Sequence, residues 1–219
     1  MERTLLIAGG TGLVGSAVTE LAGSDERFGR VITWGRRPVP NAAARVEHWG
    51  PVDGVLENGL RYEHVDAVIC CLGTTMKNVN GDRQAFLRVD RDLVLALGKW
   101  SSAKGAAFCL VSSQGADANS AVSYSRVKGT VEEALSELSF KSLHLFRPSI
   151  LDGPRTESRP GERIGLAVMK FLSPVLPAAL RPMPYRTLAQ ALVNAACSTE
   201  GGTRVHSYEN IIQLAGSGA

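Results

Sequence analysis

Thr4-Leu5-Leu6-Ile7-Ala8-Gly9-Gly10-Thr11-Gly12-Leu13-Val14-Gly15 decides the fold. Thr4 to Ala8 reads as a short buried strand. It runs into glycines at 9, 12 and 15, and then Val14, Val18 and Leu21 fall on one face of a helix. A strand, a glycine turn and a helix in that order form a dinucleotide-binding unit. A glycine lets the chain reverse sharply with positive φ. Gly12 leaves a pyrophosphate free to approach bare backbone, and Gly15 lets the helix pack close to the strand. The helix N-terminus adds unpaired N–H groups and a partial positive charge. The unit nominates Gly9, Thr11, Gly12, Leu13, Val14 and Gly15 for cofactor binding. Its spacing is G-x-x-G-x-x-G, not the commoner G-x-G-x-x-G.

The chain has 219 residues, 44% of them hydrophobic, and a mean hydropathy of +0.01. That suits a single domain, 1–219, with a full core. A net charge of +3, spread along the chain, argues against a nucleic-acid partner. The four cysteines, at 70, 71, 109 and 197, lack metal-ligand spacing and read as reduced, buried thiols of a cytoplasmic protein. No metal site is expected at the four scattered histidines, His48, His64, His144 and His206, for which structural roles are expected. The apolar start is expected to be the first strand and not a leader. The longest apolar run, Gly165 to Leu180, is broken by Lys170, Pro174 and Pro177 and makes a poor membrane span.

Strands are expected at Val31–Trp34, Arg45–His48, Ala67–Cys71, Ala107–Val111 and Ser142–Phe146. Helices are expected near Leu13–Gly23, Arg83–Ala103, Ser123–Ser139 and Leu188–Cys197. Continuous apolar strands alternating with amphipathic helices predict an α/β, Rossmann-type, doubly wound parallel sheet. Past Phe146 prolines accumulate, and 147–219 is expected to contribute a small substrate-covering region.

Arg36 and Arg37 follow the second strand, where an acidic residue usually binds the ribose 2′-OH of NAD. Two guanidiniums there match a 2′-phosphate, so NADP(H) is the expected cofactor. At the fifth strand's end stand Ser112 and Ser113, followed by Tyr124 and Lys128, which share a helix face. A phenol is a poor acid–base group at neutral pH, and a nearby ammonium moves it toward working range. Lys128 also reaches the nicotinamide ribose. A serine hydroxyl holds the substrate oxygen. Ser113 is the first choice, standing further out, and Ser112 is expected to face the core and bond to backbone. Cys71, Leu72, Gly73 and Thr74 leave the fourth strand at the edge where ligands bind, with Gly73 permitting close approach. Pro148 is expected to fix a turn beneath the nicotinamide, and the Ile150 N–H to bind its carboxamide. Arg155, Glu157, Arg159 and Glu162 are charges of the loop that follows.

Together these motifs resemble the short-chain dehydrogenase/reductase superfamily. The stretches Cys70–Thr75, Val89-Asp90-Arg91-Asp92, Ser112–Asp117, Phe146–Pro148 and Glu157–Glu162 are similar to those of its atypical Tat-interacting-protein group, up to about Asn210. The resemblance implies a Rossmann-type fold, NADPH binding and Tyr124 as proton donor or acceptor. Two readings stand: an NADPH-dependent oxidoreductase acting on a small carbonyl or hydroxyl compound, and an NADPH-binding regulator or scaffold with little turnover. NADP-linked epimerase or dehydratase chemistry is a third, weaker reading. Superfamily members often pair through the Arg83–Ala103 and Ser123–Ser139 helices, which suggests a homodimer.

Overall fold

A computed structural model describes residues 2–154 and 181–217. The strands are β1 (Arg3–Ala8), β2 (Phe28–Trp34), β3 (Val46–Trp49), β4 (Ala67–Cys70), β5 (Ala107–Val111), β6 (Ser142–Phe146), β7 (Leu151–Asp152), β8 (Met183–Pro184) and β9 (Gly202–His206). The helices are α1 (Leu13–Ser24), α2 (Arg83–Leu87), α3 (Leu93–Ser102), α4 (Ser123–Ser136), α5 (Tyr185–Ala196) and α6 (Tyr208–Gly216). Seven strands form one parallel sheet in the order β3-β2-β1-β4-β5-β6-β9, and β7 and β8 make a separate short pair. The order reverses between β1 and β4. In such sheets that is where a crevice opens beyond the carboxyl ends of the strands.

The continuous apolar runs follow from burial on both faces. On one face Leu5, Ile7, Ala67, Ile69 and Cys109 pack with α1, α5 and α6; on the other Leu6, Ala8, Val68, Cys70 and Leu110 pack with α3 and α4. Alternate residues of one strand thus enter two different cores.

Three features differ from the sequence reading. The Arg83–Ala103 helix holds a π-turn, Arg88–Asp92, between α2 and α3, and Asp82 caps its start by accepting from the Gln84 and Ala85 N–H groups. Only part of 147–219 is described. Of that part, α5 and α6 complete a helical layer and β9 closes the sheet edge. β9 escaped notice because Gly202-Thr203-Arg204-Val205-His206 is largely exposed and carries almost no apolar signal. The Gly165–Leu180 run lies outside the described residues. Among the described residues no helix is long and apolar enough to cross a membrane, and none of the side chains group as a metal site.

Two of the scattered histidines meet. His144 Nδ1 lies 2.9 Å from His206 Nε2 across the β6–β9 pairing, and Ser142 Oγ lies 2.7 Å from His144 Nε2. Burial pushes both imidazoles down to about 4; the facing His206 and then Arg204 add to the effect on His144, and Arg204 to that on His206. An unfolded chain binds protons at these rings near pH 6.5. Between pH 6.5 and 4 the unfolded state therefore holds more protons, and stability falls as pH falls through that window. The expected slope is up to about 1.4 kcal/mol per pH unit for each histidine. Thermal melts from pH 7 to 4 check this: a His144→Leu/His206→Leu variant should lose the histidine share of the slope, and an unchanged slope would refute it.

Candidate active site

The glycine turn is built on close contact. Gly9 has φ +78°, and a Cβ on it would sit 2.6 Å from the Cys71 carbonyl oxygen. A Cβ on Gly15 would sit 2.2 Å from the Gly9 carbonyl oxygen. Both positions exclude any side chain. Gly12 differs: its Cβ would meet only the Gly9 oxygen, at 3.4 Å, so the space beside it is open. Gly12 is also the N-cap of α1, with no side-chain cap and no acidic residue in the first turn. The amide groups after Thr11, at Leu13 and Val14, begin the helix and lack earlier helical partners.

Two loops close around this turn. The Val39 side chain would lie 2.7 Å from a Cβ on Gly10, which sets the Arg36–Arg37 loop beside the glycines. Both arginines are exposed, and neither forms an ion pair with another described residue. On the other side, a Cβ on Gly153 would meet Tyr185 at 2.7 Å and Leu13 at 2.9 Å, so the strand β7 exit rests on the start of α1. Ile150, 51% exposed, accepts a backbone hydrogen bond from Met183 at 2.8 Å.

The carboxyl ends of β5 and β6 are laced together. Ser112 N–H donates to the Phe146 carbonyl at 2.8 Å and Gln114 N–H to the Pro148 carbonyl at 3.0 Å. On α4, Glu132 is buried and pairs with Arg147, with Arg147 Nε 3.1 Å from each carboxylate oxygen. This ion pair fixes α4 against the β6 exit, and the hydrogen bond to Glu132 holds the guanidinium pKa above its ordinary value. A Cβ on Gly129 would lie 2.2 Å from the Ala118 nitrogen, so α4 also packs tightly on the loop after β5.

That packing presents Tyr124 and Lys128. Tyr124 is 42% exposed, with its ring 6.2 Å from Phe86, while Lys128 is buried with its Nζ 5.8 Å from the Tyr124 ring centroid. The Lys128 ammonium forms a 2.8 Å ion pair with the buried Asp90. Burial alone would lower the Lys128 pKa, but the Asp90 carboxylate, with smaller contributions from Tyr124 and Cys70, raises it and holds the ammonium charged. The other Asp90 oxygen accepts the Thr74 N–H at 2.7 Å. Gly73 covers the pair: a Cβ there would lie 3.6 Å from Asp90 Oδ1 and 3.8 Å from Lys128 Nζ.

Ser112 is buried as expected, but its hydroxyl finds no partner among the described residues instead of bonding to backbone. Ser113 is half-buried, and it is this hydroxyl that donates to a backbone carbonyl, that of Gln114, at 3.1 Å. The Cys71 N–H donates to the Ala8 carbonyl at 2.9 Å, joining the exits of β1 and β4 beside Leu72. Burial pushes the thiols up, Cys70 to about 12, with Cys71 and Cys109 also well above the usual range. Arg155, Glu157, Arg159 and Glu162 lie outside the described residues. Sequence reasoning missed Asp90 and Glu132 as site residues. The signal available for Asp90 was its place in Val89-Asp90-Arg91-Asp92; for Glu132 there was none beyond its place one turn after Lys128.

The comparisons agree with the fold. No family model matches the chain. The chain is 33% identical to protein HTATIP2 of Rattus norvegicus over 209 residues, 92% of this chain and 84% of that one. It is 33% identical to the mitochondrial protein FMP52 of Eremothecium gossypii over 194 residues, 86% of this chain and 80% of that one. Among solved structures, a short chain dehydrogenase family protein from Francisella tularensis superposes with a TM-score of 0.65 at 12% identity, covering 96% of this chain and 99% of that one, and shares the fold. The expectation of a cytoplasmic protein does not stand, because several relatives carry mitochondrial in their names.

The glycines separate positions where a side chain would clash from one where it would not. Gly15→Ala is expected to cost about 1–3 kcal/mol, as overpacking does, and to lower the melting temperature. Gly12→Ala, with φ of −81° and open space, should leave it nearly unchanged. Equal melting temperatures for both variants would refute the assignment.

Proposed function

The chain belongs to the atypical short-chain dehydrogenase/reductases that include HTATIP2 and FMP52, and on that premise we propose that it is an NADPH-dependent oxidoreductase acting on a small carbonyl or hydroxyl compound. The observation that carries this reading is the Tyr124–Lys128 face of α4, held by the buried Asp90–Lys128 ion pair and the partly buried Glu132–Arg147 pair at the same sheet edge as the open Gly12 turn.

The residues fit a dinucleotide. The open space at Gly12 and the uncapped start of α1 suit a pyrophosphate. Unpaired Arg36 and Arg37 beside that turn suit a 2′-phosphate. Gly73 and Thr74 would border the cofactor on the β4 side, and Pro148 and Ile150 on the β6 side. When bound, the cofactor supplies the hydride. Tyr124, 42% exposed, gives or takes the proton at the substrate oxygen. Lys128 holds the ribose hydroxyls and supplies positive charge next to the phenol. Ser113, the more accessible serine, would turn its hydroxyl from the Gln114 carbonyl to donate a hydrogen bond to the substrate oxygen as charge develops there. Ser112 lies beneath it.

Calorimetric titration tests the cofactor assignment. NADPH should bind at least tenfold more tightly than NADH, and Arg36→Ala/Arg37→Ala should erase that margin, as expected for loss of charge-assisted bonds. Equal binding of both cofactors by the wild type would reduce these arginines to surface charges. A carbonyl panel then tests turnover: Tyr124→Phe should abolish any activity found while NADPH still binds. Binding without turnover on any panel member would favour a nucleotide-binding regulator.

A further inference from the structure

Tyr124 stands where a helix is least secure. It lies in the first turn of α4, behind Val122, an N-cap residue whose side chain offers no acceptor to the free N–H groups. Ser123 and Tyr124 are exposed, and the first buried side chain of the helix is Lys128, one turn further on. A helix start with neither a cap nor a buried face frays. Arg126 Nη1 donates to the Ser120 carbonyl at 2.6 Å and the Val122 N–H to Ser120 Oγ at 3.2 Å, which fixes the backbone before the helix but leaves the ring untouched. α2 is the opposite case. Asp82 caps it through two N–H groups, and Phe86 is its buried residue. The Phe86 ring lies 6.2 Å from the Tyr124 ring, tilted by 47°, within the range of a favourable aromatic pair. Asp90, four residues after Phe86, meets Lys128, four residues after Tyr124. Two contacts one turn apart therefore join the same two segments, an ion pair at the buried end and an aromatic pair at the open end.

We propose that Phe86 is a positioning residue for Tyr124: its ring braces the phenol and the uncapped first turn of α4, so that the hydroxyl keeps one place in the cleft. The inference rests on the oxidoreductase reading above for its kinetic consequence, and on the contact alone for its structural one. Lys128 also faces the Tyr124 ring, but from the same helix, so it cannot tie that turn to a neighbour. Phe86 can, because it belongs to a separate, capped helix. A proton passes only over a hydrogen-bond distance, and a misplacement of about 1 Å costs about a hundredfold in rate. An apolar side chain without a ring would still fill the core beneath, but it would leave the phenol to move with the fraying turn.

The test uses the full chain with Phe86→Leu, Phe86→Met and Phe86→Tyr, each melted first to establish folding. Leu and Met keep an apolar residue and remove the ring; Tyr keeps the ring. Hydrogen–deuterium exchange is read without any substrate. Residues 121–128 should exchange about two- to tenfold faster in the two ringless variants, the range expected for loss of an aromatic pair. Residues 129–136 should be unchanged, and Phe86→Tyr should keep the wild-type rates. On a substrate found by the carbonyl panel, the ringless variants should lose about tenfold or more in kcat, with KM and the NADPH dissociation constant within about twofold of the wild type. Phe86→Tyr should restore kcat. Should Phe86→Leu not fold, Phe86→Met decides by the same readings. Unchanged exchange at 121–128 in a folded ringless variant, exchange that quickens equally along 129–136, or an unchanged kcat would overturn the proposal and leave Phe86 a core residue. A protein that binds NADPH but turns over no member of the panel overturns the oxidoreductase reading instead, and the exchange rates alone then decide the role of Phe86.

Discussion

Parallel pairing of strands buried on both faces is the constraint on which the rest of this structure depends. A parallel neighbour cannot be reached by a tight turn, so the chain must return through a crossover each time. Every return leaves the strand exits on one edge of the sheet. The glycine turn after β1, the arginine loop after β2, Gly73–Thr74 after β4, the serines after β5 and Pro148 after β6 come together for this reason alone. Sites on such a fold are assembled by topology from residues far apart in the chain.

The layer beneath that edge holds several buried or partly buried polar groups. Asp90 pairs with Lys128, Glu132 with Arg147, and Ser142, His144 and His206 form a chain across β6 and β9. Buried ion pairs contribute little net stability, because desolvation offsets much of their attraction, but breaking one leaves a charge stranded. Their effect is therefore geometric. Asp90 joins α4 to the loop after β4; Glu132 joins the same helix to the loop after β6. Between them, α4 is held to both sides of the cleft, and Tyr124 and Lys128 are held with it. The histidine chain adds a side-chain link to the backbone pairing of β9 with β6 at the sheet edge.

The glycines complete this division of labour. At Gly9, Gly15 and Gly129 a Cβ would overlap neighbouring backbone at 2.6, 2.2 and 2.2 Å, so their role is to let segments touch. At Gly12 a Cβ would meet only the Gly9 oxygen, at 3.4 Å, and the space beside it is open. Residues of one type in one motif thus stand in opposite settings, and only the distances separate them.

The sequence by itself determined the fold class, the parallel sheet, most element positions and the residues around the strand exits. Those signals are local: apolar runs, helical periodicity and glycine spacing act over a few residues and can be read in one pass. It also placed Tyr124 and Lys128 on one helix face, since that depends only on their separation of four. Tertiary structure alone decided what partners they have. Asp90 lies 38 positions before Lys128, His206 lies 62 after His144, and nothing in either residue type announces the other. The same holds for which of Ser112 and Ser113 is left without a hydrogen-bond partner, since both sit at a strand end and only the surrounding atoms distinguish them. Edge strand β9 was hidden because an exposed strand needs no apolar alternation; its place comes from backbone pairing to β6. Local physics wrote the elements and their order, and long-range desolvation decided which charges had to meet.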